Sequence, residues 1–480
     1  MQDVIIIGGG IVGCSLLYRL SFYNVKVTLL EKENDIAMGT TKANSAIVHA
    51  GYDPEPGTKM ARYNVQGNAM IQELCKNLDI PYKQTGSLVV GFTDADRAQL
   101  QELYARGQTN GVPGLKIVEQ EELCGMEPAI SPEATCALYA PTGGIVNPWE
   151  LALAQAEVAV QNGAQVCLNS PVQKIEKTND GFAVYTDTEV FFTRFVVNAA
   201  GIHTADICNM VEKSSYTIWP NKGQYFLLDT TQGNLVKHVV FQCPTPEGKG
   251  VLVSPTVHGN LIVGPNTGNS MPDDTSTTEE GLCYIKASAM RAVQGIEFRE
   301  NIRNFAGLRA VANADDFIVE ESAKTPGFFQ AAGIKSPGLT AAPAIAADLE
   351  NMLQQAGLFL IPKKGTTNMR RVVRFKYLSA EEKKKLVCKN PLYGTVICRC
   401  ETVTEGEIVE ALHRTIPPVS LDGIKRRCTP GMGRCQGGFC GPRVQAIIAR
   451  ESGIQQEEIT QDGRGTTIIY GKTKREEAGV

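Results

Sequence analysis

No apolar run in this sequence approaches the roughly 20 residues that a helix needs to cross a bilayer, which excludes a helical membrane span. Charge of one sign is not in excess either: 47 Lys and Arg stand against 51 Asp and Glu. A formal net charge of −4 offers no basic field to a phosphate backbone, so nucleic acid is not an expected partner. The opening MQDVIIIGGG has no basic segment before its apolar run and no cleavage site after it, so it does not read as a secretory leader. Internal repeats and low-complexity tracts are absent. Fourteen cysteines without a leader predict reduced thiols and a cytoplasmic chain. Cys75, Cys124, Cys136, Cys167, Cys208, Cys243 and Cys283 stand singly and are expected to be small buried hydrophobes.

What is present begins with length: 480 residues suggest about three domains at roughly 150 residues each. Residues 4–7, Val-Ile-Ile-Ile, predict a fully buried strand. Gly8, Gly10 and Gly13 follow, then a helical pattern, then the strand KVTLLE ending at Glu31. In such a βαβ unit the first glycine permits a tight turn. The second lets backbone approach a pyrophosphate, the third allows close helix packing, and an acid about 20 residues on takes a ribose hydroxyl. Further strands are expected over 85–91, 182–186 and 194–198. Residues 216–265 alternate in short strands with Gly, Asn and Pro turns, as an antiparallel sheet does. Strand, glycine turn and long helix return after residue 327, so the first domain is read as discontinuous.

The glycine motif does not separate FAD from NAD. Two segments favour FAD. VVNAAGIHTADI (196–207) puts small residues between a strand and a helix, and AAGIKSPGLTAAPAIA (331–346) puts a glycine turn and Pro337 before a small-residue helix. That helix N-terminus would offer N–H groups and a favourable dipole to a reduced flavin.

Four cysteines near the C-terminus form Cys398-x-Cys400 and, about thirty residues on, Cys435-x-x-x-x-Cys440. Four thiolates hold either a [2Fe–2S] cluster or a tetrahedral zinc, and Cys-x-Cys is tighter than most zinc spacings. Gly431, Gly433, Gly437 and Gly438 would turn backbone N–H groups toward sulfur. Cys388 and Cys428 read as spare thiols, and Lys425, Arg426 and Arg427 as a tuning group, a partner surface or a solvated basic face.

The N-terminal fingerprint, TTKANSAIVHAGYDPEPGTKMARYNVQGN (40–68), GGIVNP (143–148), VVNAAGI, GLRAV (307–311) and GIKSPGLTAAPAIA together resemble the D-amino-acid-oxidase-like superfamily of FAD enzymes. Within it they are most similar to the glycerol-3-phosphate dehydrogenase and L-2-hydroxyglutarate dehydrogenase branch. The cysteine module resembles the bacterioferritin-associated-ferredoxin-like [2Fe–2S] domain, and this favours iron–sulfur over zinc. The run Gly333-Ile334-Lys335-Ser336-Pro337-Gly338 replaces the Gly-Gly-Lys-Leu of anaerobic glycerol-3-phosphate dehydrogenases and is closer to the hydroxyglutarate branch.

The resemblance implies an α/β fold: a Rossmann-like FAD-binding domain, an inserted mainly antiparallel substrate domain and a small C-terminal iron–sulfur domain. The expected bounds are 1–85, 145–215 and 320–360 for FAD, and 86–144 with 216–319 for substrate. A basic linker at 361–393, the cluster domain at 394–455 and a polar tail at 456–480 complete the chain. Expected cofactor contacts are Gly8, Gly10, Gly13, Glu31, Asn44, Ser45, Val172, Gly201, Gly333, Ser336, Gly338, Leu339 and Thr340, with Cys398, Cys400, Cys435 and Cys440 as metal ligands.

Both branches oxidise a secondary alcohol on a small anion. That chemistry needs a base, for which His49 is the candidate, and a cation for phosphate or carboxylate, for which Arg309 is. Lys335 could assist at the flavin or the substrate, and Lys222 is a weaker cation candidate. His203, His258, Trp219 and Tyr225 read as structural. The expected function is oxidation of glycerol 3-phosphate or an L-2-hydroxy acid. Electrons would pass from FAD through [2Fe–2S] to a partner protein or quinone-linked carrier, which could hold the enzyme at the inner face of a membrane. Alternatives are an amine or amino-acid dehydrogenase and a non-catalytic electron-transfer subunit.

Overall fold

The computed structural model describes residues 1–244, 250–471 and 473. They form two compact units: Met1–Lys32 with Ile36–Arg371, and Glu33–Asp35 with the chain from Val372 on.

In the first unit, β1 (Gln2–Ile7) leads through helix α1 (Ile11–Leu20) to β2 (Val27–Leu30). β1 lies parallel to β2 on one side and to Val190–Asn198 on the other, and Gln165–Cys167 and Phe328–Ala332 continue the parallel core. Both faces of such a core are covered, which is why Val4, Ile5 and Ile6 are buried in succession rather than alternately. The hairpin Val172–Thr178/Gly181–Thr186 and the strand Ile318–Glu321 add antiparallel edges.

The second sheet has nine strands and is mainly antiparallel. Its longest pair is β3 (Ile218–Leu228) against β4 (Asn301–Ala312), with Asn221 opposite Arg309. β3 is one eleven-residue strand where shorter ones are expected from the sequence. Tyr225 is buried in this sheet as expected, whereas Trp219 is exposed. Helices α2 (Lys59–Asn77) and α3 (Gly338–Gln355) pack so closely that a Cβ at Gly67 would lie 1.9 Å from Thr340 O. Of the single cysteines, Cys124 and Cys283 are exposed and Cys167 is half-buried. The first two sit on outer faces of the helices Gln120–Met126 and Glu279–Ala292.

The stretch 361–393 is built rather than a bare linker. Arg370 is 6% exposed, with Nε 2.6 Å from Glu157 Oε2 and Nη1 3.1 Å from Glu150 Oε1. Those two acids lie two turns apart on one helix face, a partnership that local charge composition cannot reveal. Ser379 and Glu382 form a capping box at the start of the helix Ala380–Lys389.

The second unit packs β5 (Val396–Cys398), α4 (Leu421–Cys428) and α5 (Gly441–Ser452) around Ile408, Ile424 and Ile448. Part of the polar tail belongs to this core: Ile459 is fully buried, and Thr460 bridges Ser420 and Thr467. Residues 472 and 474–480 of that tail lie outside the described residues. Arg426 and Arg427 are buried, not a solvated basic face or a partner surface. Arg427 grips Asp35 through two 2.9 Å bonds, and Arg426 reaches Asp35 Oδ2 at 2.9 Å and Asp462 Oδ1 at 2.7 Å. Two cations and two carboxylates balance, which is what makes the burial tolerable.

Burial alone would raise the Asp35 carboxyl, but the Arg427 and Arg426 guanidiniums outweigh it and hold it down at about 2. The folded value lies below the unfolded one near about 3.9. The stabilisation is therefore present above about pH 4 and is lost as pH falls toward about 2. Asp35→Ala should destabilise the second unit by about 3–5 kcal/mol at neutral pH, because it leaves the buried Arg427 guanidinium without a carboxylate and Arg426 with Asp462 alone. Calorimetric unfolding of variant and parent checks this. An unchanged transition would show that the cluster makes no net contribution.

Candidate functional site

The β1–α1 turn is crowded on one side and open on the other. A Cβ at Gly13 would lie 2.0 Å from Gly8 O, and one at Gly8 2.5 Å from Ala199 O. Gly8 has φ +110°, which suits glycine. At Gly10 the nearest atom to an added Cβ is Thr41 Oγ1, at 3.5 Å. Glu31 ends the following strand, and its Oε2 accepts the Gly9 N–H at 2.6 Å. The Ile11 N–H donates to Thr41 Oγ1 at 3.0 Å. Gly201 (φ +60°) sits exposed in the turn beyond Ala199, with nothing within 4 Å of an added Cβ. Val172 starts the edge hairpin and packs on the apolar cluster of Ile5, Ile7 and Leu30.

His49 follows the short strand Ile47–Val48 and is held by its backbone. Its N–H donates to Thr340 Oγ1 (2.9 Å), and its carbonyl accepts from Asn64 Nδ2 (2.7 Å) and Asn68 Nδ2 (3.1 Å). The ring stacks on Phe241 with centroids 5.8 Å apart, and Nε2 is 3.3 Å from Ser336 Oγ. The candidates His49, Ser336 and Thr340, far apart in sequence, thus meet. Gly333 (φ +66°) turns the chain out of its strand, and Gly338 N–H closes the loop on Lys335 O at 2.7 Å. Phe241, Asn64 and Asn68 were not legible as partners of His49, since nothing local in sequence marks them.

Arg309, on β4, is oriented by Asn221 Oδ1 at 2.6 Å and Asn266 O at 3.3 Å. Among the described residues no carboxylate pairs with it. The same strand meets the 40–46 loop: Thr40 Oγ1 donates to Leu308 O at 2.6 Å, and a Cβ at Gly307 would lie 1.8 Å from Ala43 O. Asn44 stitches that loop together through Thr40 O, Thr41 O and the Ala46 N–H, and Ser45 Oγ lies 3.2 Å from Tyr225 OH. Lys222 is tied to Asp274 at 2.6 Å, so its charge is already answered. His203 pairs with Asp206 (3.2 Å) and His258 with Asn147 (3.1 Å).

In the second unit the four cysteines form two pairs. Cys400 and Cys435 are 3.7 Å apart, toward the surface. Cys398 and Cys440, 1% and 3% exposed, are hydrogen-bonded to each other inside. The Cys440 thiol, with help from the Gly431 and Glu401 N–H groups, pulls Cys398 down to about 6. The Phe439 N–H, with the Cys400 thiol and the Gly437 N–H, lowers Cys435. A Cβ at Gly433 would lie 2.3 Å from Cys400 Cβ, so only glycine fits there. Among the described residues no three His, Cys, Asp or Glu gather around one point as a single ion requires. Cys428 donates to Ile424 O (3.5 Å) within the apolar core, and burial raises its thiol, so it is a spare thiol, as is exposed Cys388.

A family model described as FAD dependent oxidoreductase matches residues 3–352, and one described as BFD-like [2Fe-2S] binding domain matches residues 396–450. A glycerol 3-phosphate dehydrogenase of Caloramator mitchellensis is 49% identical over 479 residues, covering 99% of this chain and 100% of that one. The mitochondrial L-2-hydroxyglutarate dehydrogenase of Homo sapiens is 33% identical over 286 residues, 55% of this chain and 60% of that one. The dithionite-reduced L-alpha-glycerophosphate oxidase of Mycoplasma pneumoniae, solved with FAD bound, gives a TM-score of 0.74 at 32% identity, covering 78% of this chain and 99% of that one.

The residues present fit FAD. The N–H groups of Gly10, Val12 and Gly13, and those of Leu339 and Thr340, have no acceptor among the described residues. Helix starts with orphan donors and an open glycine face suit phosphate at α1 and a carbonyl edge at α3. Gly10→Ala should therefore fold but release FAD, whereas Gly13→Ala should lose stability, with or without cofactor. Thermal unfolding and flavin fluorescence of the two purified variants separate the effects. Full FAD retention in Gly10→Ala would place the pyrophosphate elsewhere.

Proposed function

The chain belongs to the family of FAD-dependent oxidoreductases of the D-amino-acid-oxidase type and carries a BFD-like [2Fe–2S]-binding domain, and from that premise we propose that it oxidises the secondary alcohol of glycerol 3-phosphate. The observation that carries this reading is the likeness to a glycerol 3-phosphate dehydrogenase along both units. L-2-hydroxy acids are the competing substrates, favoured by the Gly333–Gly338 segment and the human relative.

FAD bound here would supply a hydride acceptor for the carbinol carbon, and a [2Fe–2S] cluster on the four cysteines would supply one-electron transfer to a partner protein or quinone-linked carrier. The remaining work falls to side chains. Arg309, presented flat by Asn221 and Asn266 O, grips the anionic end of the substrate. His49 takes the hydroxyl proton, and we assign Nε2, beside Ser336 Oγ, as the receiving atom. The bonds from Thr340, Asn64 and Asn68 fix its backbone, so the ring needs little reorganisation. Lys335, on the same loop, adds positive charge near Ser336. Gly8, Gly10, Gly13 and Glu31 hold the dinucleotide half, and Asn44, Ser45, Gly333 and Gly338–Thr340 hold the ring half. Val172 and Gly201 border the adenosine end. Cys398, Cys400, Cys435 and Cys440 bind the cluster. Among the described residues no helix is long and apolar enough to cross a membrane.

Anaerobic flavin bleaching by glycerol 3-phosphate, L-2-hydroxyglutarate and amino acids tests the substrate. Bleaching by amino acids alone would overturn the alcohol reading, and no bleaching at all would favour a relay subunit. Arg309→Ala should raise KM by the equivalent of about 2–5 kcal/mol with FAD content unchanged. Equal kinetics would move the clamp to Lys335. In Cys435→Ser the cluster should be lost while substrate still bleaches the flavin. Iron, sulfide and electron paramagnetic resonance measurements on anaerobic protein check this, and stoichiometric zinc without iron would leave a structural knuckle.

A further inference from the structure

We propose that electrons leave at the Cys400–Cys435 edge, to a small acidic one-electron carrier protein that docks on Phe439 and on the arginines beside it. The proposal rests on the cluster reading above.

The two cysteine pairs differ in access. Cys398 and Cys440 are 1% and 3% exposed, whereas Cys400 is exposed and Cys435 half-exposed. Any acceptor must approach the second pair. Phe439, four residues on from Cys435, is 86% exposed. An aromatic ring held in water next to a redox centre has the character of an interface anchor. Three arginines border this pair. Arg399 adjoins Cys400, Arg434 adjoins Cys435, and Arg443 reaches Val396 O at 3.3 Å; all three side chains are exposed. The nearby acids are already paired, Glu401 with Lys376 (3.3 Å) and Glu405 with Arg450 (2.7 Å). A basic rim around an apolar anchor selects an acidic protein. The electron count sets its class: oxidising one alcohol to a carbonyl releases two electrons and two protons. Two oxidised carriers each take one electron, and the protons pass to solvent.

Anaerobic, photoreduced holoenzyme can be mixed with oxidised rubredoxin, an acidic one-electron carrier, and in parallel with the basic carrier cytochrome c. Arg434→Glu should slow rubredoxin reduction about tenfold at low salt and speed cytochrome c, with both effects shrinking at high salt. Phe439→Ala should slow rubredoxin about tenfold at either salt. Calorimetry on oxidised rubredoxin should show a correspondingly weaker Kd for both variants. Cluster content, its resonance spectrum and flavin bleaching by substrate should stay unchanged. If the parent holds no cluster, the cluster reading fails and this proposal with it. If the cluster is intact but neither substitution changes rubredoxin rate or Kd, this surface alone is wrong.

Discussion

A methyl group at Gly13 would sit 2.0 Å from the Gly8 carbonyl, and the nucleotide half of the site depends on that closeness. It seats the start of α1 against the end of β1. The Gly10 side of the turn then stays open while the Gly8 side presses on Ala199. Glu31 accepts the Gly9 N–H and so steadies the turn. The same crowding recurs where α2 meets Thr340 and where β4 meets Ala43. Glycines at these crossings let backbone come near backbone, and functional loops end up pinned between rigid elements.

The hydrogen-bond partners described around His49 and Arg309 are amides, carbonyls and hydroxyls rather than charges. His49 is fixed through its own N–H and carbonyl, and Arg309 through two asparagines. These partners are neutral backbone and amide groups, which fix position without adding a formal charge beside either residue. Lys222 shows the contrast: an aspartate holds it, and its charge is already answered.

The second unit combines a buried sulfur pair with a surface pair, and its core is closed by carboxylates and guanidiniums rather than by apolar contacts alone. Residues 33–35, only two to four positions after Glu31, belong to this unit's packing. The chain therefore contributes three residues to the second unit shortly after β2, and returns to it after residue 371.

The sequence by itself determined the parts in which chemistry and neighbourhood coincide along the chain. The β1–α1–β2 fingerprint with Glu31, the mainly antiparallel second sheet and the four clustered cysteines were legible because glycine spacing, strand periodicity and thiol spacing act over short separations. Only the tertiary structure decided what the long-range partners are. Arg370 reads as linker charge until Glu150 and Glu157, more than 200 residues earlier, enclose it. Arg426 and Arg427 read as a tuning group, a partner surface or a solvated basic face until Asp35 enters from the other end of the chain. Cys124 and Cys283 read as buried until helix orientation turns them outward. Burial and pairing depend on which distant surfaces meet, and periodicity within one segment carries no record of its partner.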